Sequence, residues 1–160
     1  MRFVDAHIHL SDPEYDGKIH EIIENARQVG VVVLVSNSMN LETSRLSLRL
    51  AERYTGLVYA ALGIHPWNVN RLAADELEQT VDFILRNGAN DEKVVAIGEV
   101  GLDPQYAKRK EQREHQVKVF HDMLRLAEKL TLPVIIHSRW SATKILEILP
   151  SYHLNPVLWH

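Results

Sequence analysis

Phe3-Val4-Asp5-Ala6-His7-Ile8-His9 alternates apolar with ionisable side chains, the period-two pattern of a β-strand. Read as a strand, it puts Asp5, His7 and His9 on one face and Val4, Ala6 and Ile8 on the other. Two imidazoles two residues apart on extended backbone can converge on one ion, and imidazole nitrogen suits Zn2+ and similar metals. Taken alone, His7-Ile8-His9 is equally a chance surface pair; later segments answer it.

The chain repeats one alternation of strand and helix. Ile19, Ile22, Ile23 and Ala26 have the spacing of an amphipathic helix that Gly30 closes. Val31 to Val35 is apolar on both faces, as a parallel strand covered by helices should be. Leu46, Leu50 and Tyr54 stripe a helix over 41–54, and Leu57 to Ile64 reads as a third strand. Leu77, Val81, Ile84 and Leu85 make a helix face expected to stop at Asn87-Gly88, ahead of a fourth strand from Val94 to Gly98. Val117, Phe120, Leu124, Ala127 and Leu130 recur at helical spacing, Pro133 to His137 is a fifth strand, 142–149 a fifth helix, and Val157 to His160 opens a sixth strand.

Six strands alternating with five helices fit an open doubly wound sheet or a β/α barrel. An open sheet concentrates ligands at its switch point, whereas a barrel gathers side chains from the C-terminal ends of many strands around one axis. His7 and His9 follow strand one, His65 strand three, Glu99 strand four and His137 strand five, and His160 lies on strand six. That distribution predicts an α/β fold, a (β/α)8 TIM-type barrel. Closure takes eight strands and about 250 residues, so the 160 residues are expected to form a single domain, 1–160, lacking its C-terminal portion.

Composition narrows the function. Cysteine is absent, which excludes disulfides and thiolate ligands and fits a cytoplasmic protein, so any metal must be held by His, Asp and Glu. The net charge of -3 provides no global basic field for nucleic acid, although a metal centre could supply local positive charge. No run of eighteen apolar residues exists, and Asp5 and the histidines interrupt the start, so neither a membrane partner nor a signal peptide is expected.

Glu99 is the sharpest of the candidates. It is expected to share a strand face with Ile97, Gly98 and Gly101 stand near it, and a buried charge there is costly unless it meets a cation. His137 ends the apolar run Val134-Ile135-Ile136 and carries the same implication. His7, His9, Glu99, His137 and His160 are too many donors for one tetrahedral catalytic ion that keeps an open position, and they suit two divalent ions (Zn, Mg or Mn) sharing a carboxylate. Glu99 is the natural bridge, and Asp5 is expected to orient an imidazole. His20, His115, His121 and His153 read as solvated or packing residues.

Taken together, Asp5-Ala6-His7-Ile8-His9, Gly63-Ile64-His65-Pro66, Gly98-Glu99-Val100-Gly101-Leu102-Asp103, Pro133 to Arg139 and Val157-Leu158-Trp159-His160 resemble the TatD family of metal-dependent hydrolases. The first motif is shared with many amidohydrolases; the glutamate motif followed by His137-Ser138-Arg139 is the specific one. The resemblance implies a barrel with a two-metal site and metal-dependent deoxyribonuclease activity, acting on DNA with a preference for single-stranded ends. It implies that His7 and His9 hold one ion, that Glu99 bridges, that His137 and His160 hold the second, and that His65 and Arg139 face substrate phosphate. Arginine's planar fork suits phosphate oxygens.

The family also supplies an aspartate from its last barrel strand, which these residues do not reach. Two other readings stay open. A C-N or ester bond hydrolase of the amidohydrolase type often bridges its metals through a modified lysine on strand four, but Glu99 stands there and Lys93 lies at the wrong end of the strand. A non-catalytic interaction protein would bind metal without turnover. Neither the oligomeric state nor the role of Asp103 is legible.

Overall fold

In the computed structural model, which describes residues 1–160, strands and helices alternate along the whole chain. The strands are β1 (Phe3–Ile8), β2 (Val31–Asn37), β3 (Val58–Leu62), β4 (Val94–Leu102), β5 (Val134–Ser138) and β6 (Val157–Trp159). The helices are α1 (Ile19–Gln28), α2 (Leu41–Arg53), α3 (Pro66–Val69), α4 (Ala74–Asn90), α5 (Lys110–Leu130) and α6 (Ala142–Ile148). All neighbouring strands are parallel and lie in chain order from β1 to β6, so the helical crossovers wrap one way. The sheet curls into a half-barrel. Its first and last strands do not pair, yet the rings of His7 at the end of β1 and His160 after β6 stack with centroids 3.8 Å apart.

Side chains divide between two faces. Leu62, Ile97, Val134 and Ile136 point outward into a core completed by Phe120, Met123 and Leu124 of α5 and by Ile84 and Ile145 of α4 and α6. Leu34 and Val58 meet α1 and α2 through Ile23, Leu50 and Ala51. The inner face carries Val35, Ala61, Ala96 and Ile135, smaller on average, as the tighter side of a curled sheet requires.

Several details differ from the sequence reading, each for a local reason; a short sixth helix, α3, stands where none was expected, because His65 caps it and Pro66 presets its first turn. First, α4 does not stop at Asn87-Gly88 but continues to Asn90. Gly88 is there for close packing, since a Cβ would stand 2.8 Å from Leu130 Cδ1 of α5. Second, β2 and β4 run past their apolar stretches, to Asn37 and Leu102. Third, β4 spends three residue steps from Ile97 to Val100 while β5 spends two from Val134 to Ile136. This bulge breaks the alternation, so Ile97 joins the outer core while Glu99 reaches the inner rim, and the two do not share a face. β1 slips likewise between Asp5 and Ile8, aligning Asp5 with the outward Leu34.

No helix is long and apolar enough to cross a membrane. Phe120, 1 % exposed, joins α5 to the sheet. Replacing it with alanine is expected to destabilise the fold by about 3–5 kcal/mol, read as a lowered denaturant midpoint; an unchanged midpoint would contradict this packing.

Candidate metal centre

Glu99 is a carboxylate 1 % exposed at the inner rim, and its oxygens are divided among histidines of β1, β5 and the turns that follow β1 and β3. Oε2 lies 2.8 Å from His7 Nε2 and 2.9 Å from His9 Nε2. Oε1 lies 2.8 Å from His137 Nδ1 and 3.7 Å from His65 Nε2. Two trios thus share Glu99: His7, His9 and Glu99, and His65, Glu99 and His137, the ligand atoms within each standing within 4.8 Å of one another.

Partners on the far nitrogens fix which ring nitrogens of His9, His137 and His65 are free. His9 Nδ1 lies 2.9 Å from Asn37 O, and a carbonyl can only accept, so Nδ1 bears the hydrogen and a neutral His9 aims its Nε2 lone pair at Glu99. A lone pair facing a carboxylate is stable only with a proton or a cation between them. His137 is held similarly, its Nε2 lying 3.0 Å from Asp103 Oδ2 and its Nδ1 facing Glu99. A fully buried carboxylate on the far nitrogen orients an imidazole for a metal. His65 is the reverse case. Its Nδ1 accepts the Trp67 backbone N–H at 3.0 Å, so neutral His65 presents an N–H at Nε2 and is set up as a donor.

Charge follows the same division. Burial would push the Glu99 carboxyl up, but hydrogen bonds from His137, His7 and His9 hold it far below the usual carboxylate range. His9 and His137 are opposed by burial yet raised above 6.5, chiefly by their bonds to Glu99. His65 is lowered to about 4, mainly by burial, and is neutral near pH 7. His160 is lowered by burial and by His7 beside it. The donor set of imidazole nitrogens around one shared carboxylate therefore fits divalent metal: cations in place of the protons would satisfy every lone pair directed at Glu99.

The other expected residues fall as follows. His160 stacks on His7 and its ring lies 6.4 Å from that of His137, so it belongs to neither trio. Arg139 reaches in from the loop after β5, with Nε 3.8 Å from Asp103 Oδ2 and a side chain 46 % exposed. Asp5 accepts the His7 backbone N–H at 3.1 Å and makes no hydrogen bond to an imidazole. Asp103 sits between His137 and Arg139. Gly101, at φ +150°, admits no side chain, since a Cβ would stand 2.0 Å from His137 O.

Several supports escape sequence reasoning. Asn37 supplies the carbonyl that sets His9, and Ser38 O accepts the Glu99 N–H at 3.1 Å. Gln116, 2 % exposed on α5, accepts the Asp103 N–H at 3.1 Å. The signal for the first two is the abrupt polar run Ser36-Asn37-Ser38 after Val31 to Val35; Gln116 has none, being one polar residue on a largely polar helix.

Comparisons with known proteins agree with this geometry. Residues 4–160 match the family described as TatD related DNase. Deoxyribonuclease TATDN3 of Homo sapiens is 35 % identical over 164 residues, covering 98 % of this chain and 59 % of its own. The 3'-5' ssDNA/RNA exonuclease TatD of Edwardsiella piscicida is 30 % identical over 151 residues, covering 91 % and 54 %. The crystal structure of YjjV, a TatD homolog from Escherichia coli, superposes with a TM-score of 0.81 at 33 % identity, covering 94 % of this chain and 56 % of that one. The chain thus spans a little over half the length of these relatives.

Substituting Glu99 with Gln keeps its size and removes its charge. Metal analysis after dialysis against a divalent ion is expected to show at least one equivalent less than wild type, and wild-type affinity to fall with pH as His9 and His137 take up protons. Equal metal content in both proteins would contradict the shared-carboxylate arrangement.

Proposed function

The chain belongs to the TatD related DNase family, and from that premise we propose that it is the metal-binding part of a hydrolase that cleaves phosphodiester bonds in DNA, preferring single-stranded ends. The observation that carries this reading is the pairing, on one rim, of a shared carboxylate among imidazole lone pairs with two donors suited to phosphate, His65 and Arg139. In the proposal His7 and His9 would hold one divalent ion, His137 and His160 would help to hold a second, and Glu99 would serve both.

Bound divalent ions supply Lewis-acid activation of water and neutralise charge on phosphoryl oxygens. The chain's own residues do the rest. His65 stays neutral near pH 7 and offers its Nε2–H to a phosphate oxygen. Arg139 is steadied at Nε by the buried Asp103, which leaves its outer nitrogens for the two-point contact that a phosphate accepts. Asp103 also holds His137 through Nε2, so the phosphate donor and the metal ligand share one buried anchor.

The name of the exonuclease relative, which mentions ssDNA and RNA, supports the choice of single strands. The amidohydrolase alternative gains nothing from Lys93, which pairs with Asp91 at 3.7 Å before β4, at the opposite end from Glu99. The absence of cysteine supports a cytoplasmic setting.

The test is an assay at natural length on end-labelled oligonucleotides beside lactone and amide panels. Metal-dependent cleavage of single-stranded ends, abolished by chelator, is expected, with Arg139→Lys lowering kcat/KM roughly 10- to 100-fold, the worth of a charge-assisted hydrogen bond. Lactone or amide turnover without phosphodiester cleavage would reject the proposal, and so would metal binding with no turnover.

A further inference from the structure

Two short turns beside the site carry aromatic rings, and each turn is capped by a site residue. His65 caps α3 and accepts the Trp67 N–H at 3.0 Å. Asp103 caps the 3-10 turn Pro104–Tyr106 and accepts the Gln105 N–H at 2.9 Å. Both begin with proline directly after the cap, which presets the backbone of the turn. Gln116 joins them, its Nε2 donating to Pro66 O at 3.0 Å and to Asp103 O at 3.2 Å. The result is a fixed aromatic pair: the rings of Trp67 and Tyr106 are stacked, 20° from parallel with centroids 5.7 Å apart. Arg71 lays its guanidinium over the Trp67 ring, 4.6 Å from its centre.

Packing alone does not account for this arrangement, because Trp67 remains 36 % exposed while Gln116, which ties Pro66 to Asp103, is 2 % exposed. Trp67 and Arg71 border a cleft of about 640 Å³ that also includes Leu10, next to the His9 of the first trio. That volume is ordinary for a small-ligand site. Asp12, Asp16 and Glu42 line the same cleft and repel phosphate, so it favours an uncharged group over an anionic one, with Arg71 its one cation.

We propose that Trp67, stacked with Tyr106, is the stacking site for an unpaired nucleobase next to the phosphate held by His65 and Arg139, the base taking the place over the ring that the Arg71 guanidinium now holds. The inference rests on the phosphodiester reading above and adds to it why a single strand is preferred: a base within a duplex cannot present its face to an aromatic ring. Stacking on a ring accepts any base, so the site selects for unpaired strands and not for sequence.

The experiment measures binding to metal-free protein at natural length, by fluorescence anisotropy of labelled oligothymidine and of an abasic strand of equal length and charge. Wild type is expected to favour the base-bearing strand. Trp67→Ala is expected to weaken that strand roughly 5- to 100-fold, the worth of one base stack, and to leave the abasic strand unchanged, while Trp67→Phe keeps most of the preference. Equal affinity of wild type for both strands would overturn the proposal. Equal losses for both strands in both variants would overturn it too, marking Trp67 as structural. Preference that depends on Trp67, in a protein that cleaves no phosphodiester once loaded with metal, would support the stacking site and sink the hydrolase reading alone.

Discussion

One buried negative charge organises this molecule. Glu99 lies at the rim of a curled sheet with 1 % of its surface exposed, where a lone carboxylate would be strongly destabilising. Imidazoles from β1, β5 and the turn after β3 converge on it, so the strands must curl enough to bring their ends to one point. Hydrogen bonds to these rings keep it ionised against burial. Protons can satisfy the lone pairs that face the carboxylate, and divalent ions would do so with more charge.

That convergence needs more than regular strands. A regular β4 would send Glu99 outward with Ile97, into the apolar layer under α5; the extra residue between Ile97 and Val100 turns it inward. The slip in β1 has the same effect on alignment, separating Asp5 from the histidines that follow it. Bulges of this kind are a means of re-aiming one side chain without rebuilding the sheet. Around the rim, two rings are then committed by backbone, His9 by Asn37 O and His65 by the Trp67 N–H, and a third, His137, by the Asp103 carboxylate. The division between lone-pair ligands and an N–H donor is thus settled by what holds the far nitrogen of each of these rings.

Much of this was legible in the sequence because it depends on position along strands. Apolar runs of fixed period located six strands, and the ionisable residues that end them, His7, His9, Glu99 and His137, were found together at one rim. The rest depends on register and on orientation, which a single chain does not display. Period-two counting placed Glu99 with Ile97 because a bulge leaves no mark in the alternation. Asn87-Gly88 looked like a helix end because a glycine kept small for Leu130 resembles a glycine that caps. His65 met the Glu99 oxygens more closely than His160 did, since His160 stacked on His7. Asp103 gained a place once the structure set it between His137 and Arg139.

The shared role of Glu99 can be read directly by anomalous diffraction from crystals of the protein loaded with Zn2+ or Mn2+. Two peaks flanking the carboxylate are expected, one against His7 and His9 and the other against His137, each within bonding distance of a different Glu99 oxygen. A single peak, or metal bound without contact to Glu99, would contradict the arrangement at its centre.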